Sequence, residues 1–288
     1  MKNRVIHLFI FFVIACSMAV GQYYDGNRVV TISKTYLKPM STVENGTSEE
    51  RSKLILENRK KLDFKDKNLI SSKILYHFWS GRSDEVIDIS EFKSMAESDE
   101  STKTRGDRRK KAWPNEEKRN EFVKNLNKYW VGKHTDVGIY ELYTKMLKER
   151  KKIFKENTYV LIQEFTLAPM STIEGGSGDD RDEVMQKWFD NIIMKDDRIL
   201  SQMLLGHYWT GSAGGPDGWP MLIVSEYGTL EDLLDEDKEK RDKLYEKGWP
   251  DEKEREEFKK KHRAYWNNYI HEDIGIYYNS VKQQKNSQ

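Results

Sequence analysis

Hydrophobic and polar positions follow two different periods along this chain, and each change of period marks a predicted strand or helix. In the second half, "TYVLIQEFTLAPM" (Thr158 to Met170) is rich in β-branched and aromatic residues and ends at a proline, which predicts a strand. Apolar residues then recur every three or four positions from Val184 to Ile193, which predicts a helix. The runs "QMLLGHYW" and "MLIVSEY" predict two further strands, with a turn-rich loop between them.

A second helix and a closing strand complete this half. The run "WPDE" at 249–252 places a proline and two acids where a helix begins. The run "DIGIYYNSV" at 273–281 predicts the last strand. The resulting order, β-α-β-β-α-β, is that of a ferredoxin-like unit.

The same order of elements occurs twice, because the chain is an internal duplication. Shifted by about 130 residues, "ILYHFWSG" (74–81) falls on "LLGHYWTG" (204–211). The offset grows slightly towards the end, where "HTDVGIY" (134–140) meets "HEDIGIY" (271–277), so the match is collinear. Such a period is too long for a solenoid, and each copy is predicted to be a domain.

The predicted fold class is α+β, with tandem ferredoxin-like βαββαβ repeats that form a barrel-like pseudo-dimer. Right-handed crossovers place both helices of a unit on one face of its sheet, so the other face needs a partner. That partner is the other copy, and two sheets packed face to face are expected to enclose a cavity. The predicted segments are a signal peptide at 1–21, repeat 1 at 28–147, a linker at 148–157, repeat 2 at 158–281 and a tail at 282–288.

This arrangement resembles the dimeric α/β-barrel superfamily, with two subunits fused in one chain. The superfamily includes antibiotic-biosynthesis monooxygenase, EthD-like, NIPSNAP-like and chlorite-dismutase-like proteins. The resemblance covers about residues 28–281 and rests on the order of the elements. It implies a cavity for a small hydrophobic substrate or for haem. It carries over no catalytic residue, because the repeated His-aromatic-Trp run belongs to no motif of the superfamily.

The N-terminal segment predicts export. A basic start precedes an apolar run from Val5 to Ala15, which is too short to cross a membrane as an ordinary helix and is typical of a signal peptide. Small residues before Gln22 fit ordinary cleavage, whereas the run "VIAC" resembles a bacterial lipobox in which Cys16 would carry a lipid anchor. The mature chain is therefore expected in the periplasm, anchored to the outer membrane, or secreted.

The amino-acid composition limits the classes of partner that are expected for this protein. The sequence has 49 basic and 48 acidic residues, and this balance gives no general case for binding nucleic acid. Cys16 is the only cysteine, so the mature chain cannot form an internal disulfide. Contact with a membrane is expected only through a lipid on Cys16. The charged segment 98–111 is expected to be a mobile loop, although its basic cluster could also contact a phosphate or a lipid headgroup.

The repeated run contains the first candidate ligand-binding residues. Alternation along a strand places His77 and Trp79 on one face, and His207 and Trp209 on the equivalent face. Imidazole can ligate a metal or haem or move protons, and indole can stack on a flat ligand. The alternative is structural: the His bonds to nearby backbone and the Trp fills the core.

Glu91 and Glu226 are further candidates, because each shares a strand face with apolar residues. A carboxylate in such surroundings can have a raised pKa and act as a base, although at a strand end it can simply reach solvent.

His134 with Asp136, and His271 with Asp273, form a second-tier pair of candidates. On an extended segment the two side chains of each pair point the same way and could hold a metal, or the Asp could orient the His. Two ligands per copy are too few for a metal site, so no metal is predicted. The simpler interpretation is a helix end, where a His favours the helix dipole and a following glycine permits the turn.

The preferred function is that of an exported protein that binds a small hydrophobic or aromatic ligand between the two repeats. One alternative is a cofactor-free monooxygenase-like or haem-handling enzyme. The other is a surface or periplasmic interaction protein without a small ligand. The face of the sheet that carries His77 and His207 discriminates between chemistry and scaffolding.

Overall fold

The computed structural model describes residues 26–79, 82–151, 156–208, 219–235 and 238–280, without the side chains of residues 133, 219 and 268–273. The predicted signal peptide, Cys16, Trp209 and the side chains of His271 and Asp273 therefore lie outside the described residues. Within the described ranges, no helix combines the length and the hydropathy that crossing a membrane requires.

The first half contains four strands and three helices in its described residues. They are β1 (Arg28–Leu37), α1 (Ser48–Asn58), β2 (Leu69–His77), β3 (Glu85–Phe92), α2 (Met95–Ala112), α3 (Glu116–Asn127) and β4 (Trp130–Lys148). A π-helical turn, Arg59–Asp63, continues α1. The hydroxyl of Thr47 accepts a hydrogen bond from the Glu50 backbone N–H and so caps the start of α1.

The second half follows the same plan. Its described elements are β5 (Thr158–Leu167), α4 (Gly178–Trp188), β6 (Ile199–His207), β7 (Trp219–Tyr227), α5 (Leu230–Leu234), α6 (Lys238–Gly248), α7 (Glu252–Ala264) and β8 (Trp266–Asn279). A π-helical turn, Phe189–Ile193, again continues the helix after the first strand. Ser177 caps α4 by accepting from the Asp180 backbone N–H, at the position that Thr47 occupies in the first half.

The segment 98–111 is helical, and the expectation of a mobile loop is wrong. Ser94 caps α2, and three basic residues in its last turn favour the helix dipole. Two ion pairs tie the helix to the segment after α1: Arg105 lies 2.7 Å from Asp63, and Arg108 lies 2.7 Å from Asp66. These contacts join residues about 42 positions apart, and they account for a helix that shows little apolar periodicity in its sequence.

All eight strands form one closed antiparallel barrel in the order β1-β3-β2-β8-β5-β7-β6-β4. The predicted α+β class is confirmed. Each half contributes four adjacent strands, β4-β1-β3-β2 and β8-β5-β7-β6. The halves meet at two seams, where β2 pairs with β8 and β4 pairs with β6. The helices pack on the outside of the barrel, where they cover apolar clusters of the outer sheet face.

Side chains fill the barrel interior, where a cavity was expected. One cluster of buried apolar residues contains members from all eight strands, among them Val30, Leu75, Ile162, Leu205 and Leu222. Packing of this kind excludes water and gives the two sheets a common core. The predicted site between the repeats is therefore occupied by the protein itself, and the cavities described below lie on the outer face of the sheet.

Candidate functional site

The two repeated histidines lie at the two seams of the barrel. His77 is paired with Tyr277 across β2 and β8, and His207 is paired with Tyr140 across β4 and β6. Each His follows the buried Leu75 or Leu205 by two residues, and alternation therefore turns both towards the interior. Their place at the seams explains the repetition structurally, because each half contributes one His to the joint with the other.

The environments of the two histidines differ in detail. The rings of His207 and Tyr140 lie 5.4 Å apart. His77 Nε2 is buried and has no hydrogen-bond partner among the described residues. Trp79 does not share this interior position, because β2 ends at His77 and the alternation ends with it; its side chain is 62% exposed.

Glu91 and Glu226 lie on the interior face of the barrel, and both are buried in ion pairs and do not reach solvent. Arg28 donates to Glu91 over 2.7 Å, and Ser71 donates over 2.5 Å. Glu226 accepts from Ser201 over 2.9 Å and is held by further groups from both halves. Carboxylates engaged in this way act as structural anchors in the barrel.

Lys73 is a buried cation of the barrel interior that the sequence analysis missed. Its ammonium lies 3.1 Å from Glu226 Oε2. Burial and the neighbouring Arg150 guanidinium lower the pKa of Lys73 to about 8, while the Glu91 carboxylate opposes that shift. Strand alternation could have revealed this lysine, because it shares a strand face with Leu75.

His134 and Asp136 lie on strand β4, so the interpretation of this segment as a helix end is wrong. Helix α3 ends at Asn127, and β4 begins at Trp130. His134 Nε2 lies 3.7 Å from Asp136 Oδ1, and both side chains are mostly exposed. No group of three potential metal ligands occurs among the described residues. The pair lies at the rim of a cavity on the outer face of the first half.

Each half has a cavity between the outer face of its sheet and its helices, and strand β4 and Asn27 of the first half also line the cavity of the second half. The cavity of the second half has a volume of about 440 Å³, and that of the first half about 640 Å³. They share four equivalent wall positions: Ile55 and Met185, Ile74 and Leu204, Val86 and Met221, Trp130 and Trp266. The two cavities therefore lie at equivalent places in the two halves.

The second-half cavity is apolar in its depth. Buried methionines from three different elements line it, Met146, Met185 and Met221, together with Leu204 and Trp266. Its charged residues come from β4 and α4 and include Lys145, Arg181 and Glu183.

The first-half cavity is polar, and a comparison of the two halves shows where they diverge. Val30 pairs with Glu91 and Val160 with Glu226, so the strands stand in the same register. At four aligned positions the first cavity has a polar residue where the second half has an apolar one. These pairs are Thr35 and Phe165, Arg59 and Phe189, Asp63 and Ile193, and Asp88 and Ile223. The apolar partners belong to the core of the second half.

Arg59 is the centre of the polar cavity, with a side chain that is 1% exposed. Its guanidinium donates to Ser72 Oγ over 2.7 Å and to Asp88 Oδ2 over 3.3 Å. Burial raises the pKa of Asp88, and the Arg59 charge opposes this shift. This site was not predicted from the sequence, because the positions where the repeats agree do not include it. The differences between the repeats carried the signal.

Neither of these two cavities offers a suitable ligand for haem, which the fold resemblance implies. The apolar cavity has neither a histidine nor a cysteine among its described lining residues. The polar cavity has His134, which is exposed at the rim beside Asp136. His262 is buried, but its Nε2 accepts a hydrogen bond from Trp266 Nε1 over 3.2 Å. These residues do not supply an axial ligand directed into an apolar cavity.

No protein-family model matches the sequence, and no curated protein matches it. Solved structures with a similar course of the chain include a proposed monooxygenase from Lactobacillus acidophilus, at 9% identity and a TM-score of 0.46, covering 91% of this chain and 97% of that one. An anthrone oxidase-like protein is 12% identical with a TM-score of 0.45, covering 91% and 94%. A chlorite dismutase mutant from Candidatus Nitrospira defluvii is 10% identical with a TM-score of 0.46, covering 90% and 95%.

Proposed function

We propose that this protein binds a small hydrophobic ligand in the apolar cavity of its second half. The observation that carries the proposal is an apolar chamber of about 440 Å³ walled by Met146, Met185, Leu204 and Met221. This volume lies within the usual range of ligand sites, which are mostly apolar with polar groups at the edge. Methionine side chains adapt to the shape of an apolar ligand, so they suit a binding wall.

The experiment is a titration with the neutral fluorescent probe N-phenyl-1-naphthylamine. Leu204→Phe adds volume inside the chamber and is expected to weaken probe binding at least tenfold. Ile74→Phe is the matched control, because Ile74 occupies the equivalent position in the first half and lies in the other cavity. Met221→Phe gives a second obstruction of the same chamber, in case Leu204→Phe does not fold.

Loss of probe binding in Leu204→Phe or Met221→Phe, with binding retained in Ile74→Phe, supports the site. Equal binding by folded variants and wild type contradicts it. Circular dichroism of each variant separates obstruction of the cavity from loss of the fold.

We also propose that the chain is exported and that its halves, 28–147 and 158–281, are tandem ferredoxin-like units. Support for the units comes from the common strand order of the two halves. Export is tested by the mass of the mature protein from the native host. Loss of residues 1–21, or a lipid on Cys16, is the expected result, and a mature chain that retains Met1 contradicts it.

A further inference from the structure

The polar cavity of the first half contains two charged groups, Arg59 and Asp88, at positions where the second half has apolar residues. Burying charged side chains is costly even when they are paired. The second half forms the same strands in the same register with Phe189, Ile193 and Ile223 at the positions of Arg59, Asp63 and Asp88. Asp63 also holds helix α2 through Arg105, so it has a role in the fold. Since Phe189 and Ile223 satisfy the equivalent positions, Arg59 and Asp88 indicate a role other than folding.

The charges of this cavity are largely compensated within the protein. Asp63 lies 3.5 Å from Arg59 and 2.7 Å from Arg105. Asp88 lies 3.3 Å from Arg59, and Asp66 pairs with Arg108 from helix α2. The deep carboxylates all contact arginines, and the remaining one, Asp136, is mostly exposed at the rim. The depth of the site therefore offers strong hydrogen-bonding groups without a large net charge. Such a site favours a neutral polar ligand over an ion.

A row of hydroxyl groups follows strand β1 along the cavity. Thr31, Ser33 and Thr35 line it at every second residue, which spaces their Cα atoms about 7 Å apart. Ser90 on the neighbouring strand also lines it and donates to Asp88 Oδ1 over 2.8 Å. The Thr31 and Thr35 hydroxyls donate to the carbonyls of Ser90 and Val86 over 3.5 and 3.4 Å, and their oxygens can still accept. The row can therefore bind several hydroxyl groups of one ligand, mainly as an acceptor.

The same cavity also has an apolar wall, opposite in character to the hydroxyl row. Ile55, Ile74, Val86 and Trp130 form an apolar wall that the second half retains in apolar form. A sugar or cyclitol ring has a similar division, with hydroxyl groups at its edge and C–H groups on its faces. An indole ring can pack against such a face. The chamber of about 640 Å³ is within the usual range of small-molecule sites.

We propose that the first-half cavity binds a neutral polyhydroxylated ligand of monosaccharide size. Its hydroxyl groups bond to the β1 row and to the Asp88–Arg59 pair, and its carbon skeleton lies against Trp130. This site is separate from the apolar cavity of the second half and takes a ligand of opposite character.

The test uses nuclear magnetic resonance of the whole labelled protein. Glucose and myo-inositol serve as neutral probes, and glucosamine and glucuronate present the glucose ring with a positive or a negative charge. The signals followed are the Trp130 indole N–H, assigned with Trp130→Phe, and the backbone amides of Thr31 and Ser33. At least one neutral probe is expected to shift these signals at concentrations at least fivefold lower than either charged analogue requires.

Two variants locate the binding. The triple variant, Arg59→Phe/Asp63→Ile/Asp88→Ile, transfers the residues of the second half and is expected to abolish the shifts. Thr35→Phe transfers Phe165, fills the cavity without removing a charge, and keeps the test valid if the triple variant does not fold. Leu204→Phe, which alters the other cavity, is the control that retains the shifts.

Tighter binding of either charged analogue overturns the proposal, as does the absence of shifts with both neutral probes. Equal shifts in wild type and folded Thr35→Phe also overturn it. Binding of N-phenyl-1-naphthylamine to the same variants separates this result from the outcome for the second-half cavity.

Discussion

The ammonium of Lys73 in the first half lies 3.1 Å from a carboxylate oxygen of Glu226 in the second half, inside the barrel. The Lys73 side chain is 12% exposed and that of Glu226 is 1% exposed. Arg150, in the segment after β4, also contacts Glu226. The two halves are thus joined by a buried charge cluster in addition to the strand pairing at the seams.

The first prediction concerns alkaline pH. Because the pKa of Lys73 is lowered to about 8 in the folded protein, the unfolded chain binds more protons than the folded chain between pH 8 and about 10.4. The free energy of unfolding should therefore rise across this window. For this one group the difference between a pKa of about 8 in the folded protein and about 10.4 in the unfolded chain corresponds to a rise of roughly 3 kcal/mol.

Lys73→Met removes this contribution and introduces the residue found at the equivalent position, Met203, which is buried in the same core. Urea unfolding of both proteins from pH 7 to 10 provides the measurement. The stability difference, wild type minus Lys73→Met, is expected to grow with pH because the other titrating groups are common to both. A difference that is constant over this range would mean that Lys73 titrates normally.

The second prediction concerns acid pH. His262 is buried on α7, where its ring stacks on Trp188 at 5.2 Å and its Nε2 accepts from Trp266. Burial lowers the pKa of His262 to about 4. The unfolded chain takes up this proton below about pH 6.5, so stability should fall by roughly 3 kcal/mol as the pH falls from 6.5 to 4.

His262→Leu tests this effect, because Leu126 stands at the equivalent position in the first half. The variant should lose less stability than the wild type over the same pH range, as measured by urea unfolding. Parallel acid profiles would show that protonation of His262 does not contribute to acid unfolding.

Agreement between the two repeats predicted the order of the elements, and periodicity predicted that Glu91 and Glu226 share a strand face with apolar residues. Helix α2 was not predicted, because it is stabilised by contacts with Asp63 and Asp66, and no local sequence pattern indicates these contacts. The polar cavity was not predicted for a different reason. Its residues come from β1, α1, β3 and α2 and become neighbours only when the barrel closes.

The third prediction concerns the stability cost of the polar cavity. Arg59→Phe alone leaves Asp63 and Asp88 without the guanidinium between them, and should cost about 3–5 kcal/mol. The triple variant removes both carboxylates as well, and should be clearly more stable than the single variant. Arg105 loses Asp63 in that variant, but its side chain is 43% exposed and can be solvated.

Urea unfolding of the wild type, Arg59→Phe and the triple variant measures this difference. A triple variant that is no more stable than Arg59→Phe would show that the apolar residues of the second half do not fit the first half. The folding of the triple variant also decides whether it can be used to test ligand binding.

The last prediction concerns the glycine that lies two residues before each of the tyrosines at the seams, Tyr140 and Tyr277. A Cβ at Gly138 would lie 2.9 Å from the Tyr140 ring, and one at Gly275 would lie 2.8 Å from the Tyr277 hydroxyl. Tyr140 and Tyr277 are buried in the barrel interior, so their rings have little space to move. Gly138→Ala should therefore cost about 1–3 kcal/mol by overpacking.

Gly106→Ala is the matched control. Its Cβ would lie within 4 Å of no other atom, and its site in helix α2 should give a gain of about 0.5–1 kcal/mol. Thermal or urea unfolding should thus move the two variants in opposite directions, and equal stability of Gly138→Ala and wild type would show that the tyrosine can move aside without cost.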